Sequence, residues 1–330
     1  MNVRSAARLA LSFAPVVGLV ARPEPRPDGI SAIVRVRGEE EWLEPSLLSI
    51  RDFADEILVL DNGASEAARH ALDRVEPVLG GRLVRVACPR LDLFEVSNLG
   101  LERARFRFIV RWDADFVGHT DGPSDLAQLR RDLLTLDRRR YFAVTLPAAE
   151  VAGDLRHQFP DRRLRHDGQA HTASPRARFV RITRDTATDA LPVGDRPLRE
   201  RPRVKLALEA LALPPHYAVR RWPHVAYFHV HVKPARHLLL RHFWLEWLAE
   251  PDTARYPTLE SYAVEQARVR WGIADRDAAA AHLVRRLCAG LVPFDERTCG
   301  PYPALLRPHL GRARYAVEYD GGQIVGRRER

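Results

Sequence analysis

The chain has 330 residues, 46% of them hydrophobic and 29% charged. That is enough apolar material for one large or two modest cores, and it excludes a disordered or collagen-like chain. With 52 Lys and Arg against 43 Asp and Glu, the formal charge is +9, which favours anionic partners such as nucleotide phosphates. No aromatic-basic pattern of a nucleic-acid module is present, so no nucleic-acid partner is expected.

No repeat period and no run of 18 apolar residues occurs, which argues against a solenoid and an ordinary membrane span. Three scattered cysteines (Cys88, Cys288 and Cys299) suit neither a disulfide framework nor a closed zinc site. They point to a reducing, cytoplasmic setting. Residues 9–21 are apolar and follow Arg4 and Arg8, like the core of a secretion signal. Pro15 and Gly18 interrupt them and no small-residue cleavage site follows. A packed or peripherally membrane-touching segment is therefore expected, with residues 22–29 as a Pro-rich linker.

From Ile30 onward, strand and helix patterns alternate. Strands are expected at 30–36, 57–60, 82–87 and 107–112, and helices at 41–51, 65–75 and 97–105. Four alternations in about 85 residues predict an α/β fold with a doubly wound, mostly parallel sheet. A helix at 124–136 with a Ser124 cap follows, then strands at 141–146, 178–183 and 225–232. Residues 150–176 read as a long polar loop. Helices at 235–249, 258–271 and 275–289 close the chain, with a frayed end at 326–330. Four segments are expected: 1–28, an apolar segment and linker; 29–120 and 121–234, two halves of one α/β domain; and 235–330, a helical extension.

In such sheets ligands sit beyond the carboxyl ends of the strands. Asp61 ends one strand, and Asp113 and Asp115 end another. Two carboxylates one residue apart can share a hard divalent cation, Mn²⁺ or Mg²⁺, and that ion can neutralise a diphosphate. His229 and His231 lie two apart on an expected strand and so face one side, with Lys233 following. Trp244 and Trp247 read as core residues of their helix, and Trp222 as freer. The remaining histidines, His157 and His171 among them, read as mostly solvated or capping.

Three segments in order, ISAIVRVRGEEEWLEPSLLSI, ILVLDNGASE and SNLGLERARFRFIVRWDADF, resemble glycosyltransferase family 2, the nucleotide-sugar-dependent enzymes of the GT-A fold. The resemblance covers about residues 29–118. It implies that Asp61, with Gly63, meets the nucleobase. It also implies that Asp113 meets the ribose or the metal, and that Asp115 ligates the metal. Arg35, Arg37, Glu39 and Asn98 would line the nucleotide pocket. The chain departs from the family at Asn62, where a second acid is usual, and at Gly38, where an Asn is usual. Such enzymes often complete the metal shell with a histidine, for which His229 and His231 are candidates, His231 slightly preferred. Lys233 or Arg236 would hold the leaving diphosphate. A base-bearing turn of some members loosely resembles Pro192–Asp195, which makes Asp195 the candidate base, with Asp189 and Glu200 as alternatives. The implied reaction is an inverting transfer from a nucleotide sugar, UDP-linked by preference, to a lipid, glycan or secondary-metabolite hydroxyl. A nucleotidyltransferase on a related fold and a non-catalytic basic binding protein are the competing readings.

Overall fold

A computed structural model describes residues 3–38, 41–89, 91–160, 164–185, 204–250, 252, 254–311 and 314–329. Helix α1 (Val3–Leu11) precedes the first βα units: β1 (Ile30–Gly38), α2 (Leu43–Ser49), β2 (Glu56–Ala64), α3 (Glu66–Leu79), β3 (Leu83–Ala87), α4 (Leu93–Arg103) and β4 (Phe108–Arg111). Short β5 (Phe116–Gly118) and α5 (Leu126–Leu134) lead to β6 (Phe142–Ala152), β7 (His157–Gln158), β8 (Leu164–Thr172), β9 (Arg178–Asp185), β10 (Lys205–Ala212), β11 (Ala218–Arg221) and β12 (Tyr227–His231). Then come α6 (Ala235–Trp247), α7 (Leu259–Trp271), α8 (Arg276–Cys288), β13 (Val292–Pro293), α9 (Glu296–Cys299) and the hairpin β14 (Tyr315–Asp320) and β15 (Gln323–Glu329).

The expected alternation is present. The central sheet runs β3-β2-β1-β4-β8-β6-β12-β5, with β11 also paired to β6. The strands β3, β2, β1 and β4 are parallel, and β6 is parallel to β11 and β12. Strand β8 runs antiparallel between β4 and β6, and β5 antiparallel to β12. The alternation of side chains builds two layers. Ile30, Ala32, Val34 and Val36 of β1 pack with α2 and α3, while Ile33 packs with Val96 and Leu101 of α4 on the other face. Local chemistry starts the helices. The Ser65 hydroxyl accepts from the Ala68 amide, and Asp92 with Glu95 forms a reciprocal capping box. Helix α5 is capped by Asp125 rather than Ser124.

Further expectations are corrected. Residues 150–176 are not a loop: β6 extends to Ala152, and β8 sits inside the sheet. Its polar residues hid it, yet His171 and Thr172 are buried there. His157 is buried too, its Nδ1 2.6 Å from Asp154 Oδ1. The chain end is not frayed, because Gly326, Arg327, Arg328 and Glu329 pair with β14. Trp222 is a core residue at 5% exposure.

The N-terminal segment docks at the amino end of β6. Arg140 donates to the Ser12 hydroxyl at 2.6 Å, and its guanidinium lies 3.9 Å from the centre of the Phe13 ring. Leu9, Leu11, Phe13, Val17 and Leu19 remain exposed. Among the described residues no helix is long and apolar enough to cross a membrane.

Candidate active site

A cleft of about 770 Å³ opens at the carboxyl ends of β1 and β4. Its lining includes Arg35, Arg37, Gly38, Asn62, Arg111, Asp113, Asp115, Arg165, Glu209, Lys233 and Arg241. The fold, rather than sequence distance, brings these residues together, from the central sheet, the β9–β10 pair and α6.

The Asp-x-Asp loop is held rigidly. Trp112 is fully buried, and its indole N–H lies 3.1 Å from both the Ser46 hydroxyl and the Phe116 carbonyl. The Asp113 carbonyl accepts from the Phe116 amide and the Ser46 hydroxyl. The Asp115 carbonyl accepts from the Val230 amide, which ties the loop to β12. Both carboxylates therefore border the cleft on a backbone with little freedom to move.

Each carboxylate has cationic neighbours. Asp113 Oδ1 lies 3.1 Å from Arg35 and 3.5 Å from Arg111. Burial pushes its carboxyl up, but the Arg111 and Arg35 guanidiniums outweigh that and bring it to about 2. Asp115 Oδ2 lies 2.9 Å from the Lys233 ammonium and 3.7 Å from Arg241. Burial raises the Asp115 carboxyl, and Lys233, His229 and Arg241 together hold it well below the usual carboxylate range.

Behind Asp115 lies a buried cluster. His229 on β12 stands beside Glu150 in the register of β6. His229 Nε2 is 3.3 Å from Asp115 Oδ2, and its Nδ1 is 3.6 Å from Glu150 Oε1. His231 Nε2 is 3.1 Å from the same Glu150 oxygen, and Arg165 donates to it at 2.6 Å. Burial lowers the proton affinity of His229, while Asp115 and Glu150 more than restore it, so the ring titrates above its ordinary value. Candidate ligand atoms of Glu150, His229 and His231 all lie within 4.8 Å of one another. Asp115 Oδ2 and His229 Nε2 are both buried, and neither completes a hydrogen bond of good geometry. A carboxylate oxygen and an imidazole nitrogen facing each other in this way suit a divalent cation.

The other candidate positions divide. Arg37 and Gly38 border the cleft. Gly38 has φ +77°, a left-handed conformation that glycine adopts without strain. Gly63 is likewise left-handed, at φ +99°. Asp61 does not line the cleft. Its Oδ1 accepts from the Gly63 and Ala64 amides, at 3.0 and 2.7 Å, and so closes the turn, while Asn62 reaches the cleft instead. Asn98 does not line it either. Its side-chain amide bonds both the N–H and the C=O of Phe179, clamping α4 to β9. Arg236 pairs with Asp277 on an exposed surface. Glu39, Asp189, Asp195 and Glu200 lie outside the described residues.

Sequence reasoning missed several residues here. Glu150 and Glu209 carry charge into the site from strands with no motif, Arg111 from within the segment that leads to Asp113, and Arg165 and Arg241 from β8 and α6. Trp244, expected in the core, borders the cleft with Leu240, Leu245 and Leu259. Glu209 accepts from Arg35, Arg111 and Ser97 at once and crosses the cleft from β10.

No family model matches the chain, and no curated protein does. Among solved structures, the chain is similar to S. aureus TarS, over 38% of this chain but only 21% of that one, at 15% identity and a TM-score of 0.27. It is similar to the mannosyltransferase PcManGT from Pyrobaculum calidifontis, solved with GDP-Man and Mn²⁺, at 16% identity and a TM-score of 0.35, covering 94% of this chain and 91% of that one. TarS residues 1–349 with UDP-GlcNAc match at 12% identity and a TM-score of 0.38, covering 86% and 87%. Likenesses this distant leave the function to be argued from the site itself.

Proposed function

We propose that the chain is a metal-assisted glycosyltransferase that uses a nucleotide-sugar donor. The observation that carries this reading is the Asp113–Asp115 loop, held at the carboxyl end of β4, with both carboxylates bordering a cleft that also holds Arg35, Arg111, Lys233 and Arg241. The cleft volume suits a nucleotide-linked sugar.

The donor's nucleoside end is assigned to the β1 side, against Arg37, Gly38 and Asn62, with UDP the favoured base class. Asp113, held anionic by Arg35 and Arg111, would accept from the ribose hydroxyls. Asp115 and His229 would hold the cation, Mn²⁺ or Mg²⁺, with His231 behind. When bound, that cation supplies positive charge to the diphosphate oxygens. Lys233 and Arg241 stand beside Asp115, where they would stabilise the charge that develops on the leaving diphosphate. Asp195, on the connection between β9 and β10, is assigned the deprotonation of the acceptor hydroxyl, in an inverting displacement. Leu240, Trp244, Leu245 and Leu259 give the cleft an apolar wall, which favours an acceptor with an apolar portion among lipid, glycan and secondary-metabolite classes. The exposed N-terminal residues lie at the opposite end of the sheet, so a membrane contact there would leave the cleft facing away from the bilayer.

A nucleotidyltransferase would need free basic groups after the first strand for a triphosphate. Arg35 is instead committed to Glu209 and Asp113, which leaves Arg37 of that strand to meet a triphosphate by itself. A basic binding protein is disfavoured by the anionic loop at the centre of the cleft.

The test is a thermal-shift panel of UDP, GDP, dTDP and their sugars, with and without Mn²⁺ or Mg²⁺. A ligand at 100 times its dissociation constant adds about 2.7 kcal/mol. A shift that needs both nucleotide and metal, and that is lost in Asp115→Ala, supports the reading. The absence of a shift under every condition overturns it.

A further inference from the structure

We infer that Glu150 is a positioning carboxylate: it fixes the His229 ring so that Nε2 faces Asp115, and the two form a seat for a divalent transition cation. The inference rests on the metal-assisted reading above and goes beyond it, by dividing the Glu150, His229 and His231 cluster into a ligand and its supports.

The argument is geometric. One imidazole offers two nitrogens in opposite directions. In His229 these face different carboxylates: Nε2 is 3.3 Å from Asp115 Oδ2, and Nδ1 is 3.6 Å from Glu150 Oε1. Asp115 lines the cleft, whereas Glu150, His229 and His231 do not. A cation that meets a diphosphate in the cleft must therefore lie on the Asp115 side of the ring. That leaves Nδ1 on the Glu150 side, 3.6 Å from Oε1, where a small shift of the ring would close the hydrogen bond of a carboxylate–histidine–metal arrangement, in which an outer carboxylate sets the tautomer and raises ligand basicity.

The groups around Glu150 fit this role. Its side chain is fully buried on β6, directly beside His229 in the parallel register. Arg165 donates to Oε1 at 2.6 Å and holds it in place, and His231 Nε2 lies 3.1 Å from the same oxygen. The ring centroids of His229 and His231 are 3.7 Å apart, so His231 also restrains the ring from rotating. On the cleft side, Lys233 and Arg241 approach Asp115. An imidazole donor favours Mn²⁺ over Mg²⁺, which prefers oxygen ligands and keeps its waters. The seat should discriminate between these two ions.

The experiment measures Mn²⁺ binding to the full chain by calorimetry and by electron paramagnetic resonance, with Mg²⁺ as competitor. The proteins are wild type, Glu150→Gln and Asp115→Asn. The expected result is that Mg²⁺ competes poorly, that Glu150→Gln weakens Mn²⁺ by roughly 10- to 100-fold, and that Asp115→Asn abolishes binding. Because Glu150→Gln disturbs a buried ion pair, a second readout uses the wild type alone. Long-range ¹H–¹⁵N spectra of the imidazoles in alkaline buffer should show His229 protonated on Nδ1. Diamagnetic Zn²⁺ should then shift the Nε2 resonance. A His229 protonated on Nε2, or a Zn²⁺ shift at Nδ1, overturns the inference, as does a folded Glu150→Gln that binds Mn²⁺ like the wild type. Those outcomes leave the metal-assisted reading standing. A wild type that binds nucleotide but no divalent ion overturns both.

Discussion

Arg35 and Glu209 meet across 174 residues of sequence, with one Arg35 nitrogen donating to both Glu209 oxygens at 3.0 and 2.9 Å. Arg111 donates to the same carboxylate at 2.8 Å. Glu209 thus anchors the β9–β10 hairpin to the strands that carry the Asp-x-Asp loop, and it neutralises two arginines that also flank Asp113. Glu209→Ala leaves both guanidiniums short of a partner in a mostly buried place. The expected cost is roughly 2 kcal/mol of stability, from charged hydrogen bonds lost. The urea midpoint, compared with the wild type at equal slope, checks it.

Gly100 belongs to the Asn98-Leu99-Gly100 segment of α4. A Cβ built there would lie 2.5 Å from Ile33 Cγ2 and 3.1 Å from Leu60 Cδ1. The missing side chain is what lets α4 sit close on β1 and β2. Gly100→Ala should destabilise the fold by about 1–3 kcal/mol through overpacking, despite alanine's better helix propensity. Thermal unfolding decides between the two effects, and a rise in melting temperature would contradict the packing.

The Lys233 ammonium lies 2.9 Å from Asp115 Oδ2, where a divalent cation would also bind. An ammonium and a divalent cation at one carboxylate repel, by an amount of order 8 kcal/mol at 4 Å in a protein-like dielectric (twice the value for unit charges) and far less once relaxed. Lys233→Met should therefore strengthen Mn²⁺ binding to the nucleotide-free protein by about tenfold, while weakening nucleoside diphosphate. Calorimetry of each ligand separately gives both signs. Parallel losses would mean that Lys233 supports the seat rather than competing with the ion.

Acid should destabilise the chain over two pH windows. Burial holds the His119 and His171 imidazoles down at about 4 from their ordinary 6.5. Such rings are neutral in both states above 6.5. Below that the unfolded chain takes up protons first, so stability falls as pH drops from 6.5 towards 4, by up to about 3 kcal/mol for each ring. Asp113 acts lower. Its carboxyl is at about 2 when folded and 3.8 otherwise, so its contribution is complete above 3.8 and is lost as pH falls through 2. Urea midpoints measured from neutral pH downward should show the first decline, and His119→Phe should remove part of it.

The sequence by itself determined the βα alternation of residues 30–112 and the acids at the strand ends. Those features are local: apolar periodicity, the Ser65 and Asp92 caps, and the turn after Asp61 all act within a few residues. The tertiary structure decided what those residues do. Asn98 and Asp61 read as cleft residues; in the fold the Asn98 side chain clamps β9 and one Asp61 oxygen closes its own turn. Strand β8 was illegible because its pattern is polar; it is a strand only where β4 and β6 supply backbone partners on both edges. Glu150 and Glu209 carry no motif either. Their place in the site comes from sheet register and from a hairpin returning over the cleft, and no short window of sequence encodes either.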